Sequence, residues 1–325
     1  MTNWAAKNTL SIQLPKSQGD VMSVLKSSMA RLAAASVAVC IAAPVLAQGA
    51  SDVQIKASKV ADNLYRLEGR GGHMALFVGP DGAFLVDDQI APLSDKIKAA
   101  IGKITDKPVR FVINTHWHGD HVGGNAAMAE RGAIVVAHEN VRRRLTKEQF
   151  MRFFPRGDKK VPPASKETLP IVTFTKEMSF YLNGQKIRVV KMPNAHTDGD
   201  SVVHFTGSDV IHAGDALRHQ FPFIDIGAGG SLKGTIELTQ KVLEMMGPNT
   251  KVIAGHSPVM GKAEITDYLN MLVEVEKRIA PLVAAGKSEA EVVAAKPLQD
   301  MDAKWGGGFV KMDLFVKTVY ADLKG

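Results

Sequence analysis

From residue 53 onwards the apolar positions come in short runs that alternate with polar ones: Val53–Ile55, Leu64–Leu67, Ala75–Val78 and Ala83–Val86. Gly79-Pro80-Asp81-Gly82 separates the last two. Period-two alternation broken by such turn residues predicts strands joined as hairpins. The spacing changes at Ser94, after which Ile97, Ala100, Ile101 and Ile104 fall on one stripe. This predicts a helix with Ser94 as its N-cap. Val109–Ile113, apolar but for Arg110, reads as a strand ending at Asn114, Val122–Ala129 as a helix and Ile134–Ala137 as another strand. Residues 139–168 then turn basic and irregular. Strands resume at Ile171–Phe174, Met178–Tyr181, Ile187–Lys191, Ser201–Phe205 and Asp209–His212. Thr235–Met246 and Ile265–Ala285 are helical in pattern, with Val252–Ala254 a buried strand between them. Ser288 followed by Glu291 is a capping-box signature for one more helix. Each half of the chain runs strands first and helices after, which predicts an α/β sandwich of two sheets with helices outside.

The segment before residue 48 follows another pattern. Lys26 and Arg31 precede the uncharged run Leu32–Val45, and Val45-Leu46-Ala47 puts small side chains where a signal peptidase cuts. The run is shorter than the roughly 20 residues a membrane-spanning helix needs. The expectation is an export signal over 1–47, with Met22 a plausible true start, a periplasmic or secreted product and no membrane contact after cleavage. The mature chain then divides into a domain over 48–287 and a helical extension over 288–325 that carries Trp305, Phe309, Phe315 and Tyr320.

Composition narrows the field further. With 45% hydrophobic and 22% charged residues the chain is neither disordered, collagen-like nor a multi-span membrane protein. Its net charge of +7 falls to +4 without the leader, too little to argue for nucleic acid, which wants a concentrated basic stripe. Cys40 is the only cysteine, so the mature chain has neither a disulfide framework nor a cysteine-based zinc cluster.

The chemistry concentrates in Asn114-Thr115-His116-Trp117-His118-Gly119-Asp120-His121, directly after an apolar strand. In an extended loop, side chains two apart share a side, so His116 and His118 converge on one point. Gly119 is expected to permit a turn that sends Asp120 and His121 to a second, nearby point. Neutral imidazoles and carboxylates suit Zn²⁺ without any thiolate. His196, Asp215 and His256 each follow an apolar strand and are brought to one rim of the sheets. His204 and His212 read as satisfied groups within strands, His138 as fixing a turn, and Trp117 as packing beneath the loop; His73 sits in a hairpin loop that could reach the groove.

This HxHxDH run, the isolated histidine, the strand-terminal Gly214-Asp215 and Gly255-His256-Ser257-Pro258 together resemble the metallo-β-lactamase superfamily, and Leu85-Val86-Asp87 is similar to its first motif. The resemblance covers about Val60 to Lys262 and implies a four-layer αβ/βα sandwich with two zinc ions in the groove between the sheet edges. By position it implies that His116, His118 and His196 hold the first ion and Asp120, His121 and His256 the second. Asp215 resembles the aspartate that bridges both ions in the glyoxalase II, lactonase and phosphodiesterase branches, and Asp87 the carboxylate that steadies a ligand histidine. Two divalent ions lower the pKa of a shared water towards neutrality, so that a bridging hydroxide attacks a carbonyl carbon while Asp120 orients it or relays its proton.

The substrate, a small molecule, is less legible. Export makes β-lactam hydrolysis the leading expectation, and the missing cysteine restricts the comparison to the cysteine-free lactamases; Asp215 pulls instead towards the alternative of lactones, thioesters and aryl esters. A periplasmic metal-binding protein with little turnover is a third class, and the superfamily also has a redox branch with iron. Arg218 stands where some β-lactamases place a carboxylate-anchoring lysine, and a guanidinium there either grips a carboxylate or is a solvated surface group. Phe221 and Phe223 are expected to wall the groove. The basic insert reads either as a lid over an anionic substrate or, more simply, as a helix that packs its phenylalanines and leaves its arginines in solvent.

Overall fold

The hairpins predicted after residue 53 form as an antiparallel ladder of β1 (Lys56–Ala61), β2 (Leu64–Glu68), β3 (Met74–Phe77) and β4 (Ala83–Val86). A computed structural model describes residues Asp52–Gly325, so the expected export signal lies outside the described residues. Val53–Ile55 is not part of the ladder; the Val53 carbonyl instead accepts a hydrogen bond from Lys96 Nζ at 2.8 Å. After α1 (Ser94–Gly102) the chain enters the sheet again as β5 (Val109–Asn114), parallel to β4. Ser94 is the first residue of α1 and not its N-cap: its hydroxyl donates back to the Ala91 carbonyl at 2.9 Å, closing the 3₁₀ turn Ala91–Leu93.

The helix expected over Val122–Ala129 is two short pieces, α2 (Gly119–Val122) and α3 (Asn125–Ala129), separated by Gly123 and Gly124. A Cβ at Gly124 would collide with Asp88, whose Oδ1 accepts from the Gly124 amide at 2.8 Å, so the break lets the chain pass tight against the strand end. β6 (Ile134–His138) follows, and His138 caps α4 (Glu139–Leu145) by accepting from the Asn140 amide. The rest of the basic insert is a separate hairpin, β7 (Gln149–Met151) with β8 (Lys159–Val161). β9 (Val172–Phe174) completes a seven-stranded sheet in the order β1-β2-β3-β4-β5-β6-β9.

The second sheet has five strands in sequence order: β10 (Glu177–Leu182), β11 (Gln185–Lys191), β12 (Ser201–Phe205), β13 (Val210–His212) and β14 (Lys251–Ile253). α5 (Leu232–Met245) crosses between β13 and β14, which pair in parallel. α6 (Lys262–Ala284), α7 (Glu289–Ala294), α8 (Asp302–Trp305) and α9 (Met312–Lys324) follow, and Ser288 caps α7 with the predicted Ser–Glu box.

Period-two alternation explains the layering. On β12 to β14, Val203, Phe205, Val210 and Ile253 face the first sheet and meet Phe77, Phe84, Ile113 and Val136. Their neighbours Val202, Ile211 and Val252 face the other way, into a core with Leu238, Ile265, Tyr268 and Leu272 of the helices. Leu76, Leu85, Val112 and Val135 of the first sheet are buried on its opposite face as well, so both sheets are covered on both sides. Phe84 anchors the sheet-to-sheet layer, edge-on to Phe180 at 5.1 Å and to Phe205 at 6.0 Å.

The C-terminal helices belong to the helix-side core. Phe315 of α9 is fully buried and stacks on Phe221 with ring centroids 4.8 Å apart. Truncating a ring so enclosed leaves a cavity, and Phe315→Ala is expected to lower the unfolding free energy by about 3–5 kcal/mol. Equilibrium urea unfolding checks this; a loss below about 1 kcal/mol would mean that α9 is not docked as described.

Candidate metal centre

The site stands on strand ends. β5 delivers Asn114 and Thr115, both buried, and the loop and α2 that follow carry His116, His118, Asp120 and His121. Gly119 is not the hinge expected of it: it begins a helical turn, lacks a positive φ, and a Cβ there would meet nothing. The helical turn itself presents Asp120 and His121. The loop after β11 brings His196, a 3₁₀ turn after β13 brings Asp215, and the loop after β14 brings His256. All seven side chains named from the sequence therefore meet at one rim.

They fall into three groups whose donor atoms lie within 4.8 Å of one another: His116, His118 and His196; His116, His121 and Asp215; and Asp120, His121 and His256. Asp215 joins them. Its Oδ1 is 3.1 Å from His121 Nε2, and its Oδ2 is 3.3 Å from His256 Nε2 and 3.9 Å from His196 Nε2. Asp120 Oδ2 is 3.1 Å from His256 Nε2 and 3.8 Å from His121 Nε2.

The hydrogen bonds behind the rings fix which nitrogen each presents. Asp225 Oδ2 takes His118 Nε2 at 3.0 Å, the Phe223 carbonyl takes His196 Nδ1 at 2.6 Å, and Asp87 Oδ2 takes His121 Nδ1 at 2.7 Å. Thr115 donates its hydroxyl to Asp87 at 2.9 Å, so its oxygen accepts from His116 Nδ1 at 3.0 Å. The outward nitrogens of His116, His118 and His196 thus carry the proton, and their inward nitrogens are left with lone pairs. His118 Nδ1 and His196 Nε2 then face each other at 2.8 Å, while His116 Nε2 is buried without a hydrogen-bond partner. Lone pairs held this close repel unless a cation lies between them, and buried polar atoms are otherwise almost always satisfied. The residues fit a divalent metal on that ground.

Protonation tells the same story. Burial, with the neighbouring imidazoles, holds His116 well below the usual histidine range and His196 down at about 3, so both are neutral and able to ligate. Burial opposes a charge on His121 too, but Asp215, Asp87 and Asp120 together push it well above its ordinary value. A cation would relieve that concentration of carboxylates. Close packing keeps the donors in place: a Cβ on Gly72 would overlap the His121 ring, and one on Gly255 would overlap Asp215 Oδ1.

Among the residues expected around the donors, Asp87 steadies His121 and, through Thr115, His116. Arg218 is not solvated: it is buried against the groove, its Nη2 lies 3.3 Å from Asp215 Oδ2, and its buried Nε has no partner. Phe223 lines the groove beside His118, with ring centroids 5.9 Å apart. Phe221 does not; it is buried under α9, so its role is to hold the C-terminal helix. Trp117 is buried as expected, and His73 turns its Nδ1 to the Ala254 carbonyl at 3.1 Å, its ring 6.4 Å from that of His256.

The basic insert departs from the simpler of its two readings. Arg143 and Arg144 are not free in solvent but bind the buried Asp198, two residues past His196, at 2.7–2.9 Å. Met151, Phe154, Arg156, Lys159 and Val161 of the hairpin line the groove, as a roof would. Sequence reasoning missed three more supports. Asp225 holds His118, and Gln89 clamps the loop at Gly71 and Gly72 through both ends of its amide. Asp200 accepts from the His196 and Thr197 amides at 2.6 and 3.0 Å, burial pushing its carboxyl up to about 6.

Comparison with known proteins agrees with this geometry. The sequence model of the metallo-beta-lactamase superfamily matches residues 68–256, more than half of the chain. A hydroxyacylglutathione hydrolase of Acidiphilium cryptum (strain JF-5) is 25% identical over 215 residues, which is 65% of this chain and 71% of that protein. A metallo-β-lactamase from Pontibacter korlensis shares the fold with a TM-score of 0.55 at 20% identity, covering 68% of this chain and 99% of its own. One from Cronobacter sakazakii does so with a TM-score of 0.57 at 17% identity, covering 74% and 99%. The chain belongs to the metallo-β-lactamase superfamily and is a metal-dependent hydrolase, its fold the α/β sandwich of that family.

Proposed function

We propose that the protein is an exported two-zinc hydrolase of activated carboxyl derivatives, with thioesters, lactones and aryl esters its preferred class. The observation that carries this reading is the position of Asp215, whose two oxygens face His121 on one side and His256 and His196 on the other. A carboxylate so placed suits two ions rather than one, in the manner of the bridging-aspartate branches. The similarity to a hydroxyacylglutathione hydrolase points the same way. His116, His118 and His196 would hold one ion, Asp120, His121 and His256 the other, and Asp215 both. When bound, such ions acidify water and polarise a carbonyl.

The chain's own groups do the rest. Asp120 lines the groove, partly exposed, and its carboxylate stays ionised because His121 and His256 outweigh the cost of its burial. From there it can orient an attacking water and take its proton. Arg218, beside Asp215 and within the groove, can meet an anion that develops or arrives there. That buried guanidinium with its unpartnered Nε also favours a second reading, hydrolysis of a β-lactam whose carboxylate it would grip.

A panel of thioesters, lactones, aryl esters and β-lactams, run on purified protein before and after chelation, separates these readings. The expected result is thioester or ester hydrolysis that chelation abolishes and zinc restores, with β-lactams at least about tenfold slower in kcat/KM. Faster opening of β-lactams would establish the second reading. Bound zinc with no turnover of any substrate would make the protein a metal-binding one instead.

A further inference from the structure

The groove above the donor cluster opens outward into a cavity of about 630 Å³. One of its walls is a ladder of three phenylalanines drawn from three separate segments. Phe223 stands against His118 and His196. Phe154, from the β7–β8 hairpin, is edge-on to Phe223 with centroids 5.8 Å apart, and Phe309, from the turn before α9, is edge-on to Phe154 at 5.4 Å. Phe309 lies beyond residues 68–256, the part shared with the family, and is 40% exposed.

Its position is fixed by what flanks it. The buried Trp305 accepts from the Phe221 amide at 2.9 Å, and Gly308 lies so close to Gln220 that a Cβ would collide with that side chain. Apart from its edge-on contact with Phe154, a phenylalanine so exposed at the cavity is only partly used by the protein around it. It does offer a ring to whatever occupies the cavity.

Charge is distributed unevenly along the same cavity. The carboxylates that line it, Asp120 and Asp215, are both at the donor end. Beside the phenylalanine ladder Lys159 Nζ sits 5.6 Å over the Phe154 ring, and Arg156 and Arg70 line the same cavity. None of these three cations forms an ion pair with a described residue. Arg218, at the donor end, is taken up by Asp215, so an occupant that reaches along the phenylalanine ladder would meet unpaired positive charge at Lys159.

We infer that Phe154 and Phe309 clamp the non-reacting arm of the substrate, selecting a carboxyl derivative that bears an aryl group with an anionic terminus. This rests on the hydrolase reading of the groove and adds the part of the substrate away from the scissile bond. The clamp binds ground state and transition state alike, so its loss raises KM and leaves kcat in place.

The test uses two thioesters of the same small thiol, one of 4-carboxyphenylacetate and one of acetate, with the full protein loaded with zinc. Phe309→Ala is expected to raise KM for the aryl thioester about tenfold, to leave its kcat within about twofold, and to leave the acetyl thioester unchanged. Phe309→Tyr keeps the ring and should restore the wild-type KM. Lys159→Ala should raise KM for the aryl carboxylate but not for its methyl ester. A second readout needs no turnover: the aromatic sulfonate 8-anilino-1-naphthalenesulfonate should bind the wild type and be displaced by 4-carboxyphenylacetate, with affinity about tenfold weaker in Phe309→Ala. Equal losses on both thioesters, or dye binding indifferent to Phe309, would overturn the clamp. If the wild type cleaves no thioester at all, the hydrolase reading fails on its own and the dye still decides the clamp.

Discussion

His118→Ala will cost the protein its hydrolytic activity and a bound ion while leaving it folded. The His118 ring presents Nδ1 to His196 Nε2 at 2.8 Å, and the two lone pairs need a shared cation. Without the imidazole one ion keeps at most two of its three histidines. The fall in kcat/KM should exceed the roughly 100-fold seen when only an outer hydrogen-bond partner of a ligand is lost. The ring borders the groove but is buried, and its removal strands the buried Asp225 carboxylate, so the melting temperature should fall while the protein stays folded. Metal analysis, steady-state kinetics and a melting curve on the same preparation check all three statements. Wild-type activity in a variant depleted of metal would contradict them.

The second large effect is expected at a residue that touches no substrate. In Asp225→Asn the side-chain oxygen can still accept from the Ala228 amide, which Asp225 Oδ1 does at 3.1 Å, so the local turn survives. The amide nitrogen then faces His118 Nε2, where a carboxylate oxygen stood at 3.0 Å. Two donors cannot share that contact, and His118 must turn over to its other tautomer, with the proton on Nδ1 and pointing into the site. A protonated nitrogen cannot ligate. Metal affinity should fall about 10–100-fold, with activity recovering at high zinc. Competition against a chromogenic chelator measures the affinity. Asp225→Glu, able to restore the acceptor, should recover most of it; an Asn variant that binds zinc as tightly as the wild type would show that Asp225 does not set the tautomer.

Why the ligands were readable in the chain and their supports were not has a physical explanation. HxHxDH concentrates four donors into one short run after an apolar strand, and His196, Asp215 and His256 each follow a strand end. Those are local signals. Asp225 meets His118 across 107 positions and Gln89 meets Gly72 across 17, through contacts that exist only once the loops have folded over one another. Asp225 lies two residues past Phe223, yet nothing local distinguishes an aspartate that orients a ring from one that ends a turn. Phe221 and Phe223 show the same limit. Two residues apart and identical in type, one faces the metal donors and the other lies beneath α9, because the chain between them is not a strand and alternation predicts nothing there.

The sheets were legible because burial on both faces leaves short, mostly apolar stretches in β5, β6 and β12–β14. The basic insert was not. Its three-residue strands pair only with each other, and its arginines are held by Asp198 from a distant loop. A charge run reads as solvated until the partner is known.

Zinc titration of the metal-stripped protein, with bound metal and hydrolysis followed in the same samples, tests the central claim most directly. The arrangement of His116, His118, His196, Asp120, His121, His256 and Asp215 predicts that activity returns in step with occupancy and levels off at two ions per chain. Full activity in the stripped protein, or saturation with zinc that restores none, would contradict it.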